Sequence, residues 1–392
     1  MPRSTPVFAL VGARVFDGSE VLSRHAVVIE SGLVKDVRQI ERLDAGIERQ
    51  SLDGGLLTAG FIDIQVNGGG GLLFNNEPTV DGLRTLVVAH RAGGTTACMP
   101  TVITDVERVR RQAFEAVSRA FDEDVDGLLG LHFEGPYLSA SRRGAHSESL
   151  IRAPLPADID WLCDVASDCR LLLTVAPETM RPGQIARLAE AGILVFLGHT
   201  AASFEQVESA LSEGAVGFTH LFNAMTPLAS REPGAVGAAL LADSAYCGII
   251  CDGHHVHADA VRLAHRVKPR GKLLLVTDAM ATTGAADPSF ELYGETITER
   301  GGRLVNEEGR LAGSAISMAQ AVGNAHTKCR LPLDECLRMA SLYPAELLGI
   351  SQERGRLRRG YRADMVHLDD DLQVRDVWIA GRRSAAMPGR PS

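Results

Sequence analysis

The stretch "LLGLHFEGPYL" (residues 128–138) reads as a buried strand that ends on a carboxylate. Leu128, Leu129 and Leu131 supply the apolar run, Glu134 follows Phe133, and Gly135–Pro136 stops the strand. An ionised group in that place is costly unless something cationic compensates it. Seven other runs share the form: "GFIDIQV" (60–66), "TACMPTVIT" (96–104), "LLLTVAPE" (171–178), "LVFLGHT" (194–200), "GFTHLFNA" (217–224), "CGIICDG" (247–253) and "LLLVTDAM" (273–280). Helix-period stretches lie between them, at 81–92, 105–120, 182–191, 203–213 and 258–267. Ser203 with Gln206 three residues on has the form of a capping box. Near-continuous apolar strands alternating with helices point to parallel pairing under helical cover. An α/β fold with a closed (β/α)8 TIM-like barrel fits best. An open doubly wound sheet competes, but no GxGxxG turn opens the series.

At 392 residues the chain suits one barrel-sized domain with a smaller attachment. Hydrophobic residues at 45% and charged residues at 23% match globular averages and argue against disorder. The flanks read differently from the centre. "FALVGARVFDG" and "HAVVIESGLVKDVRQI" alternate strands with glycine turns, and "GRLRRGYRADMVHLDDDLQVRDVWIAGR" repeats that style near the other end. Neither flank has core enough to stand alone. Both chain ends, 1–56 plus 346–392, are therefore expected to build one small β-sandwich domain beside a barrel at 57–345. A hairpin around Gly301–Gly302 is expected to interrupt the barrel pattern within 291–316.

A net charge of −9 without a long basic run excludes nucleic acid as the expected partner. The seven cysteines form no CxxC pair and sit mostly in apolar segments, as reduced core thiols do. No segment approaches membrane-spanning length and the first residues lack an apolar secretory core, so a cytoplasmic protein without a membrane partner is expected.

The polar residues at the strand ends carry the chemistry. Glu134 ends the third strand, His199 the fifth, His220 the sixth and Asp278 the eighth, and barrel enzymes collect catalytic groups at those ends. Two imidazoles and a carboxylate converging on one mouth form a plausible divalent-metal site with a position left open for water. Such an ion would hold Glu134 in its charged form. Asp278 beside an activated water suits a general base, although a turn cap is its plainer reading. His132 shares a strand face with Glu134 and is expected to fill a layer of the barrel. His265 and His367 are read as hydrogen-bonded structural residues. His254, His255 and His257 crowd one loop, which favours substrate contact or exposure over a second metal site. Arg142, Arg143 and Arg231 lie on loops where guanidinium groups could hold a phosphate.

Taken in order, the motifs resemble a known family. Ala-Gly-Phe-Ile-Asp (59–63), "HFEGPYLS", "GHTAAS", "THLFNAMTPL", "REPG", "DGHHVH", "TDAM" and "LAGSAISM" together look like the N-acetylglucosamine-6-phosphate deacetylases of the amidohydrolase superfamily. The resemblance runs over nearly the whole chain. It implies hydrolysis of N-acetyl-D-glucosamine 6-phosphate to D-glucosamine 6-phosphate and acetate. The alternative is another N-acetyl hexosamine phosphate, such as N-acetylgalactosamine 6-phosphate. It further implies Glu134, His199 and His220 as metal ligands and Asp278 as catalytic acid/base; in the mechanism expected from these roles His146 donates to the acetyl carbonyl. Ala145, His146, Asn223, Ala224, Arg231, His255, Leu311, Ala312 and Gly313 are its implied substrate contacts. Arg231 would act across a homodimer interface. One departure is visible: where many amidohydrolases carry His-x-His, this chain has Gln65 and Asn67. Neutral amides are poor metal ligands, so one divalent ion per subunit is expected. Zn2+ suits the ligand set best, with Fe2+, Co2+ or Mn2+ as alternatives.

Overall fold

The computed structural model describes residues 7–384 apart from 308 and 310. Eight strands form one sheet in strict sequence order. They are β1 (Phe61–Val66), β2 (Thr95–Ile103), β3 (Leu131–Glu134), β4 (Leu171–Val175), β5 (Leu194–Leu197), β6 (Gly217–Phe218), β7 (Tyr246–Ile250) and β8 (Leu273–Val276). Every neighbouring pair is parallel. The two edges meet: Val66 bridges Ala279, and the Asp278 N–H donates to the Gln65 carbonyl at 3.0 Å. Asp63 fastens that seam by accepting from the Thr277 hydroxyl.

Eight helices follow the strands in turn. They are α1 (Val80–Arg91), α2 (Glu107–Asp122), α3 (Pro156–Val165), α4 (Gln184–Glu190), α5 (Phe204–Ser212), α6 (Gly234–Leu241), α7 (Ala258–Val267) and α8 (Met318–Thr327). The Ser203–Gln206 capping box forms as its spacing predicts. Near-continuous burial of the strands explains their apolar composition, since helices cover the outside and side chains fill the middle. His132 belongs to that filling, held between the Thr101 and Thr174 hydroxyls at 3.1 and 2.8 Å.

The strands are shorter than their apolar runs. β3 spans four residues because Gly130 and Gly135 both leave the extended region, with φ of 155° and 91°. β6 keeps only Gly217–Phe218 before the chain turns at His220. α6 is not among the helix-period stretches of the sequence. Its Gly, Ala, Val and Leu residues are buried nearly all round, so no polar face marks it as a helix.

Both chain ends meet beside the barrel. Leu56–Ala59 pairs antiparallel with Met365–Leu368 in a six-stranded sheet. A four-stranded sheet carrying Phe8–Val11 and His25–Glu30 packs on it around Leu10, Ile29, Leu57, Met365 and Trp378. Residues 57–59 thus lie in the end sheet, just past the expected boundary at 56. Residues 1–6 and 385–392 of the expected end domain lie outside the described residues. Between β8 and α8 the predicted hairpin is one part of a four-stranded antiparallel sheet, Ser289–Leu292, Glu295–Arg300, Arg303–Val305 and Leu311–Ser314.

Candidate active site

The strand-end residues converge. Glu134, only 2% exposed, places Oε1 3.0 Å from Nε2 of His199 and 3.0 Å from Nε2 of His220. The two imidazole nitrogens are themselves 3.0 Å apart. His199, His220 and Asp278 each stand two residues beyond a strand with φ of 47°, 32° and 53°. This left-handed backbone is costly for a residue with a side chain and is tolerated where the surroundings hold it. Here it turns each side chain inward at the mouth of the barrel.

Donor chemistry tests whether these three groups fit a cation. Nδ1 of His199 lies 2.8 Å from the Arg142 carbonyl, which can only accept, so Nδ1 carries the proton. In the neutral ring Nε2 then points a lone pair at the carboxylate of Glu134. Nδ1 of His220 is buried without a partner among the described residues. Lone pairs from one oxygen and one nitrogen, with a second imidazole beside them, meet in a space that favours a positive ion. The group fits. His146 also approaches, forming with Glu134 and His199 a trio whose ligand atoms lie within 4.8 Å of one another. Its Nε2 is 3.9 Å from Oε1 of Glu134, further than His220, so His220 is the better third ligand.

Burial alone would raise the Glu134 carboxyl, but the close approach of the His199 and His220 rings holds it well below the usual carboxylate range. Asp278 goes the other way. Burial and then the Glu134 charge push it up to about 6, although hydrogen bonding from Asn67 opposes them. Burial, reinforced by His199, pushes His146 down to about 3, so that ring is neutral.

Gln65 and Asn67 are donors rather than ligands. Gln65 Nε2 lies 3.1 Å from Glu134 Oε2 and 3.1 Å from Asp278 Oδ1, and Asn67 Nδ2 lies 2.7 Å from the same Oδ1. The sequence marked them only as a departure from the His-x-His pattern. Their amides keep two buried carboxylates apart and oriented.

A cavity of about 170 Å³ opens over these groups, lined by Ala145, His146, Asn223, Ala224, His255, Leu311 and Gly313 among others. His255 is steadied by Asp252, whose Oδ2 lies 2.6 Å from Nδ1. Ala312 faces the adjoining hollow instead. Arg231 is exposed and does not line the cavity of its own chain. Arg142 contributes its carbonyl to His199, while Arg143 pairs with Glu148 at 3.3 Å. Sequence reasoning passed over Ile103, Gly144, Ile250 and Met280, which also line the cavity. It also passed over Thr104, a polar strand-end residue open to the same rule that found Glu134. A larger cleft, about 580 Å³, runs past Arg14, His254 and Lys328 but holds no such convergence.

The chain matches the amidohydrolase family over residues 56–383 and the NagA composite domain over 7–57. The chain belongs to the amidohydrolase family. Among curated relatives, an N-acetylgalactosamine-6-phosphate deacetylase of Shewanella sp. (strain ANA-3) is 43% identical, covering 94% of each chain. An N-acetylglucosamine-6-phosphate deacetylase of Haemophilus influenzae is 35% identical over 96% of this chain and 98% of its own. The crystal structure of N-acetylglucosamine-6-phosphate deacetylase from Pasteurella multocida superposes with a TM-score of 0.93 at 37% identity, covering 97% of this chain and all of that one. Amidohydrolases are metal-dependent, in keeping with the buried Glu and His cluster. Among the described residues no helix is long and apolar enough to cross a membrane.

Proposed function

We propose that the protein hydrolyses the acetamido group of N-acetyl-D-glucosamine 6-phosphate, giving D-glucosamine 6-phosphate and acetate. The observation that carries this reading is the meeting of Glu134, His199 and His220 beside Asp278 at the floor of one cavity. The names of the relatives support the substrate class.

Glu134, His199 and His220 would hold one divalent ion, with zinc the best match to two imidazoles and a carboxylate. Bound there, the ion supplies Lewis acidity toward the acetyl carbonyl and lowers the pKa of water. The remaining work belongs to this chain's residues. Asp278, its Oδ1 fixed by Gln65 and Asn67, takes the proton of the attacking water. His146 donates to the carbonyl oxygen as negative charge grows on it. The C–N bond then breaks, and Asp278 returns its proton to the departing amine, which would otherwise leave poorly. Arg231 fits a phosphate contact made across a homodimer, because it is exposed and off its own cavity. A cytoplasmic location suits the reduced cysteines, all seven of which are free.

The relative at 43% identity supports N-acetylgalactosamine 6-phosphate as a second reading. The two sugars differ in the orientation of one hydroxyl. Acetate release from both, measured on the metal-loaded protein, decides between them. A higher kcat/KM on the galactosamine compound reverses the order, and release from neither ends the proposal.

A further inference from the structure

We propose that Thr104 is a positioning residue that fixes His146 with its proton on Nε2, making the ring a hydrogen-bond donor at the reacting carbonyl and not a metal ligand. The inference rests on the deacetylase reading for what that donor acts upon.

The geometry is local and specific. Thr104 follows β2 by one residue and is fully buried. Its hydroxyl lies 2.8 Å from Nδ1 of His146, and its backbone N–H reaches the same nitrogen at 3.3 Å. A backbone N–H can only donate, so Nδ1 must offer a lone pair. A neutral imidazole that accepts at Nδ1 carries its hydrogen on Nε2. That hydrogen leaves no lone pair for an ion, although Nε2 stands 3.9 Å from Glu134 Oε1 and the ring centroid is 4.3 Å from that of His199. The backbone N–H identifies Nδ1 as the acceptor, and the closer hydroxyl, at 2.8 Å, is the bond that holds the ring there. His199 gives its Nδ1 proton to a carbonyl and frees Nε2 for a cation, whereas His146 receives at Nδ1 and keeps Nε2–H.

Thr104 is itself held from several directions. The Tyr293 hydroxyl, at the turn between Ser289–Leu292 and Glu295–Arg300, donates to its carbonyl. On the other side Gly135 lets the hydroxyl in, since a Cβ there would stand 2.3 Å from Oγ1. The antiparallel sheet above the barrel is thereby connected to the orientation of His146 through one threonine.

The test uses the full, zinc-loaded chain with nitrogen-15-labelled histidine, His146 being assigned from the spectrum of His146→Gln. The expected spectrum has a pyridine-type Nδ1 and a protonated Nε2 free of zinc. A protonated Nδ1, or zinc on Nε2, overturns the proposal. Thr104→Val keeps the shape and the backbone N–H while removing the hydroxyl. It is expected to lower kcat by roughly 10- to 100-fold, with zinc content unchanged, and to leave KM within about 2-fold. Thr104→Ser is expected to restore kcat. An unchanged kcat in Thr104→Val also overturns the proposal. If the wild type releases acetate from neither sugar phosphate, the functional reading fails while the spectrum still decides the tautomer.

Discussion

Gln65 Nε2 lies 3.1 Å from Asp278 Oδ1, and that one amide nitrogen is equally far from Oε2 of Glu134. Its two hydrogens serve two carboxylates, Glu134 in the cluster proposed to hold the cation and Asp278 proposed as the base. Gln65→Leu removes the shared donor while keeping approximate size. The metal-free variant is expected to lose about 1–3 kcal/mol of stability, the cost of leaving buried acceptors unsatisfied, together with a drop in kcat/KM. A melting temperature equal to that of the wild type would show that the amide is dispensable.

Asp278→Asn tests the base directly. The amide can still accept from Gln65 and Asn67, but it cannot take a proton from water. Turnover is expected to fall by about 10²- to 10⁴-fold, with metal content and melting temperature close to normal. Turnover near the wild-type value removes Asp278 from the role.

The pH profile follows from the same group. Its carboxyl is raised to about 6, and the base works only when ionised, so kcat/KM should fall as pH drops through about 6. A bound cation favours the carboxylate and moves that limb only to lower pH. An acid limb above pH ~7, or one unchanged in a variant lacking Asp278, contradicts the assignment.

Chelation should abolish acetate release and lower the melting temperature, since an ion that binds only the folded chain stabilises it. Adding zinc back should restore both. Metal analysis is expected to return about one ion per chain, because Gln65 and Asn67 offer amides where a second ion would need imidazoles. Two tightly bound ions would sink that reading.

Arg231→Ala is expected to raise KM by roughly 10- to 100-fold, the loss of about 1.5–3 kcal/mol for a hydrogen bond to a charged group. Turnover should change less. Sedimentation equilibrium on the wild type is expected to report a dimer. A monomer with full activity separates Arg231 from the substrate.

The strand-end rule found Glu134, His199, His220 and Asp278 because an ionisable group after an apolar run is conspicuous in one dimension. α6 escaped it, since a helix buried on nearly every side loses the polar stripe that periodicity detects. Thr104 was equally placed at a strand end, yet threonine is ordinary in strands and nothing in "TVIT" names its partner. Gln65 and Asn67 stood out as departures from a pattern, but their hydrogen bonds run to residues 69 and more than 200 positions away.

Composition and alternation determined the barrel, its helical cover and the joining of the two chain ends, because burial dictates side-chain type at each position wherever it falls. The tertiary structure alone decided which groups meet the ring nitrogens of His146 and His199, and which amide faces which carboxylate. Those choices depend on directional bonds between strands distant in sequence, and the order of residues does not encode a direction.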